Sequence, residues 1–260
     1  VIGITCVAYN QPDLLLKMAR TASESGHPIR FYITRTSMIP QVTLACDEIL
    51  EKYDAVVDGS GKNIGVSRCW NNNLIKMQED ECEFMMVVND DIWFEPGDVD
   101  LLISAALAHR DNYAIQCAGP NLTLNARVGD HGFSCVVFNP IALETLGYFD
   151  ENFFPAYNED VDYAYRAGLA GLVAHIEPNT QVHHVGSAAI QTNSKLANQN
   201  HRTHGLNDQY WTRKWGCSKG GKGHSRPFNN QEFHPYYISI ESRHEPYPGF
   251  NRADREVVVI

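Results

Sequence analysis

The sequence predicts an α/β fold, a mainly parallel sheet flanked by helices, on three observations. Short β-branched runs alternate with segments whose apolar residues recur at helical spacing, the pattern of a βαβ series. One run, "EFMMVV" at 83–88, is apolar on both faces, as a central strand of a parallel sheet must be. The 260 residues are 43% hydrophobic, enough for one large packed domain.

The elements follow in order. "VIGITCVAY" opens as a strand, and "NQPDLLLKMARTA" supplies a polar start, a proline in the first turn and leucines on one helical stripe. "IRFYITR" reads as the second strand, "QVTLACDEILEKY" as the second helix and "AVVDG" as the third strand. The loop "SGKNIG" leads into the helix "VSRCWNNNLIKMQ" and then the central strand. After "NDDIWFEPG" come the helix "DVDLLISAALAHR" and the strand "YAIQCAG". Beyond "PNLTLNARVGDHG" the alternation loosens into the strand "FSCVVFN", the short helix "PIALETLG", an aromatic loop, an acidic helix and the strands "LVAHI" and "QVHHV".

From about Ser218 the composition turns to Gly, His, Pro and Tyr, without a period until the terminal "EVVVI". Such a tail either packs on the surface or binds a partner. The expected organisation is therefore a domain over 1–217, divided at about residue 95, and an extension over 218–260.

Charge and cysteine usage narrow the function. With 31 acidic against 21 basic residues and a net charge of −10, nucleic acid is not the expected partner. The 7 cysteines are scattered and lack any CxxC spacing, so neither a zinc site nor a disulfide framework is expected. A reducing, cytoplasmic setting fits that usage. No apolar run reaches the roughly 18 residues of a membrane span, which leaves open an anchor or domain upstream of Val1.

Three places carry candidate chemistry. Asn89, Asp90 and Asp91 stand at the carboxyl end of a buried strand, where open α/β sheets bind ligands. Paired carboxylates there either hold a hard cation such as Mg2+ or Mn2+ or end the strand as turn formers. Glu159, Asp160 and Asp162 crowd into the start of the acidic helix. Asp162 faces Arg166 at i,i+4 and reads as structural, whereas Glu159 and Asp160 either answer the helix dipole or do chemistry. His183 and His184 are either packed strand residues or ligands. Taken together, these are the parts needed to hold a metal-bound diphosphate and to deprotonate a hydroxyl.

The segments "VAYNQPDLLLKMA", "KNIGVSRCWNNNL", "VVNDDIWF", "FSCVVFNPIALETLGYFDENFFPAYNEDVDYAYRAGLAG", "VHHVGS" and "YWTRKWG" resemble, in that order, successive motifs of family 2-type glycosyltransferases of the GT-A fold. The resemblance runs from Val1 to about Gly216. It implies a nucleotide-sugar donor (a UDP-, GDP- or dTDP-sugar) on the amino-terminal half and a carbohydrate or glycoconjugate acceptor on the other. Tyr9 and Asn10 match the loop that embraces the nucleoside, and Asn63 and Gly65 the Asn-x-Gly loop near base and ribose. Asn89, Asp90 and Asp91 match the metal-and-ribose motif, with Asp91 in the metal-ligand position and His184 as the late metal-binding histidine for Mn2+ or Mg2+. Asp160 falls on the general base of inverting members, beside Glu159 as an acceptor-binding residue.

Two positions depart from that pattern. Asn89 replaces a frequent Asp, and Trp70 stands where many members carry Arg. Among the aromatic residues, Tyr148, Phe149, Phe153, Phe154 and Tyr157 mostly read as core, and Trp93 as the sugar-stacking candidate. The loop 121–132 and the tail after Ser218 are expected to choose the acceptor, and the segment from Leu196 to His224 to close over the diphosphate as a lid. A nucleotidyltransferase is the nearest rival reading, but "AYNQPD" lacks the Gly-rich basic loop that a triphosphate would require. A non-catalytic sugar-binding domain of the same fold is the other.

Overall fold

The computed structural model describes residues 1–120, 133–188 and 194–230. The loop 121–132 and the terminal "EVVVI" lie outside the described residues. In chain order the elements are β1 (Ile2–Ala8), α1 (Pro12–Ala22), β2 (Ile29–Arg35), α2 (Pro40–Lys52), β3 (Ala55–Asp58), α3 (Val66–Glu79), β4 (Phe84–Val88) and β5 (Ile92–Trp93). They continue with α4 (Asp98–Ala108), β6 (Ala114–Cys117), β7 (Cys135–Phe138), α5 (Pro140–Leu146), α6 (Glu159–Leu169), β8 (Ala174–Glu177), β9 (His183–His184) and α7 (Ser194–Trp215).

Seven strands form one sheet in the order β3-β2-β1-β4-β7-β6-β8. Strands β1 to β4 pair in parallel, β8 is parallel to β6, and β7 runs antiparallel between β4 and β6. The prediction of a mainly parallel sheet holds with this one reversal.

Strand β4 is buried along its whole length. Its side chains alternate between two cores, Phe84, Met86 and Val88 facing one and Met85 and Val87 the other, as the two-residue period of a strand dictates. Leu15, Met18 and Ile49 of α1 and α2 fill the first core, while Leu74 of α3 and Tyr163 of α6 fill the second. Among the described residues no helix is long and apolar enough to cross a membrane.

The sequence reading did not foresee α7. Its buried positions, Leu196, Gln199, Thr203, Asn207, Tyr210, Trp211, Lys214 and Trp215, recur at helical spacing, but half of them are polar, so no apolar stripe announces the helix. Tyr210, Trp211 and Trp215 form a third core with Phe153 and Phe228. Within Leu196–His224, where a lid is expected, the carboxyl-terminal turns of α7 are packed structure.

A buried charge network joins α7 to α6. Lys214 is 0% exposed, with Nζ 2.8 Å from Asp150 Oδ2 and 2.5 Å from Asp162 Oδ1. The Trp215 indole donates to Asp162 Oδ1 at 2.9 Å and the Tyr210 hydroxyl to Asp150 Oδ2 at 2.8 Å. Arg166 donates to Asp162 Oδ2 at 3.0 Å and to the carbonyls of Leu146 and Tyr148. Two acids face two bases, so the cluster is neutral, the condition under which buried charges are tolerated. The pair that sequence spacing assigned to Asp162 and Arg166 is thus real, but it belongs to an interior network and is not a surface pair.

Candidate active site

A cavity of about 500 Å³ gathers residues from the ends of β1 and β4, the start of α6 and β9. Tyr9, Asn63, Asn89, Asp90, Asp91, Glu159, Asp160 and His184 all line it. Asn10, Gly65 and Trp93 are not among its lining residues.

Each of those three has a local role. The Asn10 side chain accepts a hydrogen bond from Gln11. Gly65 has φ +92°, and a Cβ there would lie 2.7 Å from the Phe154 ring. Only glycine lets the loop pass so close, and the turn is closed by the Gly65 N–H donating to Asn63 Oδ1 at 3.0 Å. Trp93 stacks on His183 with ring centroids 4.7 Å apart, while the Lys17 ammonium sits 3.4 Å from its centroid. Trp93 thus has His183 and Lys17 as ring partners and lies outside the cavity lining.

The short ladder of β5 and β9 builds the next feature. Ile92 pairs with His184 and Trp93 with His183, and strand alternation then sends the two histidines to opposite sides. His183 turns out to Glu95 at 2.8 Å, whereas His184 Nε2 turns in and lies 3.1 Å from Asp91 Oδ1. Asp91 Oδ2 also accepts the Ala188 N–H at 3.3 Å. Burial alone would raise the Asp91 carboxyl, but the hydrogen bond and charge of His184 outweigh it and hold the group below its ordinary value. Asn89 Nδ2 lies 3.5 Å from the same His184 nitrogen.

Asp90 behaves oppositely. Its Oδ2 accepts the Tyr9 N–H at 3.0 Å, yet burial pushes the group up to about 7, with the charge of Asp91 adding to the rise. The bond from Tyr9 ties the end of β4 to the loop after β1.

The residues present fit a divalent cation in a limited way. Asp91 and His184 offer one carboxylate oxygen and one imidazole nitrogen side by side, the donor types that Mn2+ accepts. Among the described residues no group of three or more His, Cys, Asp or Glu assembles for a metal. Two protein ligands leave most coordination positions to water or phosphate, the arrangement of cations shared with a substrate.

At the start of α6 the backbone turns sharply. Tyr157 and Asn158 have φ of +77° and +76°, the left-handed region that asparagine enters most readily among non-glycine residues. Asn207 of α7 clamps this turn: it donates to the carbonyls of Ala156 and Tyr157, both at 2.8 Å, and accepts the Phe154 N–H at 3.2 Å. Asn158 in turn donates to Asp208 and accepts from Lys219. Nothing in the sequence pattern pointed to Asn207, because its partners lie some fifty residues away.

The turn delivers Glu159 and Asp160 to the cavity. Asp160 Oδ1 accepts the Val161 N–H at 2.8 Å. Burial raises its carboxyl, and hydrogen bonds from Val161 and Phe133 offset part of that rise. Glu159 is raised well above its ordinary value by burial and then by the charge of Asp160. Its Oε2 has no partner among the described residues. Two adjacent carboxyls with elevated proton affinity are suited to accepting or sharing a proton.

Trp70 and Gln116 also line the cavity. The sequence reading noted Trp70 as a departure and passed over Gln116, which sits in a four-residue strand with no motif around it.

No known family profile matches the chain. Among solved structures it is similar to S. aureus TarS 1-349, at a TM-score of 0.56 and 14% identity, over 70% of this chain and 59% of that one. That protein is also known in complex with UDP and with UDP-GlcNAc. The mannosyltransferase PcManGT from Pyrobaculum calidifontis, in complex with GDP-Man and Mn2+, matches at a TM-score of 0.58 and 15% identity, over 78% of this chain and 62% of that one. The chain therefore spans less than two thirds of the length of either structure. A galactofuranosyl glycosyltransferase of Leishmania donovani is 46% identical over 44 residues, 16% of this chain and 10% of that protein. The seven-stranded, mainly parallel sheet with its flanking helices, and the likeness to these structures, make this the GT-A fold.

Proposed function

We propose that the protein is a metal-dependent, inverting glycosyltransferase that moves a sugar from a nucleoside-diphosphate donor to a hydroxyl of a carbohydrate or glycoconjugate acceptor. The observation that carries this reading is one cavity shared by the Asp91–His184 pair and the carboxyls that open α6. The solved structures of similar fold hold UDP, UDP-GlcNAc or GDP-Man, which supports a donor of that class.

Residues 1–95 would hold the donor, with Tyr9 and Asn63 at the nucleoside, and residues 96–217 the acceptor. Asp91 and His184 would hold Mn2+ or Mg2+, whose charge offsets that of a diphosphate. Asp160 takes the proton of the acceptor hydroxyl as that oxygen bonds to the anomeric carbon and the bond from that carbon to the diphosphate oxygen breaks. A buried carboxylate of raised proton affinity serves better as base than one at its ordinary value. Glu159 orients the acceptor beside it. A single displacement of this kind inverts the anomeric centre.

Incubation with a panel of UDP-, GDP- and dTDP-sugars, following nucleoside diphosphate with and without Mn2+, tests the reading. Metal-dependent release of nucleoside diphosphate is expected. Release of pyrophosphate from a nucleoside triphosphate and sugar phosphate would reassign the protein as a nucleotidyltransferase, and saccharide binding without turnover as a binding domain.

A further inference from the structure

Gln116 sits in the short strand β6, paired on either side with Val136 of β7 and Ile176 of β8. It is 3% exposed, and neither its Oε1 nor its Nε2 has a hydrogen-bond partner among the described residues. Strand alternation turns it to the face of the sheet that Ala114 shares with the second core. A buried carboxamide with both ends unpaired costs stability and contributes nothing to packing that an apolar side chain would not.

Gln116 is also a lining residue of the cavity, together with two other buried groups that lack partners, the Trp70 indole N–H and Glu159 Oε2. The cavity lining thus offers unpaired donors from Trp70 and Gln116 and an unpaired acceptor from Gln116. Neighbouring hydroxyls, each able to donate and accept, complement such a set.

The sheet places Gln116 relative to the rest of the site. From the strand that ends in Asp90 and Asp91, β6 lies two strand steps away, about 10 Å, and from the strand that leads to Tyr9 three steps, about 14 Å. Asp91 stands between. A ligand whose nucleoside meets Tyr9 and whose diphosphate meets Asp91 presents its sugar toward β6.

We infer that Gln116, with Trp70, reads the hydroxyls of the transferred sugar and is a specificity-determining residue of the donor site. This rests on the proposed donor class and extends the donor's contacts beyond residues 1–95, to β6 in the other half of the domain. Gln116 is kept at a cost to the unliganded fold because the sugar satisfies it.

The test is calorimetry in the presence of Mn2+, comparing UDP and GDP with UDP-GlcNAc, UDP-galactose and GDP-Man, on wild type and on Gln116→Met. For the tightest sugar nucleotide, the variant should lose roughly 10- to 100-fold in affinity, while affinity for the matching nucleoside diphosphate stays within about twofold. Its melting temperature without ligand should hold or rise, which a structural role would not allow. Trp70→Phe, which removes the N–H together with part of the ring, should lose less. Equal losses for both ligands, no loss for the sugar nucleotide, or a change confined to the acceptor KM would each overturn the assignment. Wild-type protein that binds none of these five nucleotides, nor dTDP and dTDP-glucose, would overturn the donor reading itself, and this inference with it.

Discussion

The parallel sheet over β1–β4 and the junction of α6 with α7 both hide large side chains, but they exclude water around different chemistry. Around the sheet, Ile4, Leu15, Met18 and Ile33 belong to one cluster of buried apolar residues. Their contribution is proportional to the area removed from water and indifferent to direction. At the junction, Phe153, Tyr210 and Trp215 surround Lys214, Asp150, Asp162 and Arg166, whose charges must balance and whose hydrogen bonds must be aimed. The first region tolerates change in proportion to volume, whereas the second fails when one partner leaves. The junction is also the one that holds Asn207 against the turn before Glu159 and Asp160, so its integrity reaches the site directly.

That contrast can be broken by substitution. Lys214→Ala leaves Asp150 and Asp162 buried against one remaining cation and should cost about 3–5 kcal/mol, measured by denaturant unfolding. A loss below about 1 kcal/mol would mean that the junction is no more demanding than the sheet. Ile4→Val removes one methylene from the apolar side and should cost about 0.5–1.5 kcal/mol in the same measurement. It should also leave donor binding unchanged, since Ile4 lies outside the cavity lining.

Acid sharpens the comparison further. Burial would raise the Asp150 carboxyl, but Lys214 outweighs it and holds the group below its ordinary value. A carboxylate depressed in the folded state contributes stability above its unfolded value of about 3.9 and loses it as pH falls through the folded value. The stability gap between wild type and Asp150→Asn should therefore be full above about pH 4 and shrink below it. For Ile4→Val the gap should not depend on pH. A gap for Asp150→Asn that stayed constant down to pH 2 would contradict the ion-pair account.

The same contrast explains what the sequence could tell. Every strand and helix whose burial is apolar was legible, because β-branched runs and leucine stripes carry their period locally. Strand β4 is the clearest case, its two-sided burial visible in "FMMVV". Helix α7 was not legible, since Gln199, Thr203, Asn207 and Lys214 occupy core positions that only distant partners justify. The two-residue strand β5 escaped for a similar reason, being defined by its pairing with β9. Asp91, His184, Glu159 and Asp160 sit in motifs, and all four line the cavity. For Trp93 the sequence shows an aromatic ring but not the Lys17 and His183 that lie against it. Gln116 gave no signal at all, since its interest lies in the partners it lacks.

The central claim is that Asp160 is the base of an inverting transfer from a donor held elsewhere in the cavity. Asp160→Asn keeps the shape of the side chain and its acceptor for the Val161 N–H but removes its ability to take a proton. The most direct measurement is turnover by this variant, beside donor affinity and the anomeric configuration of the wild-type product. Turnover should fall by roughly 10²–10⁴-fold with donor affinity nearly unchanged, and the wild-type product should carry the inverted configuration. Normal turnover by Asp160→Asn, or a product that keeps the configuration of the donor, would contradict the account.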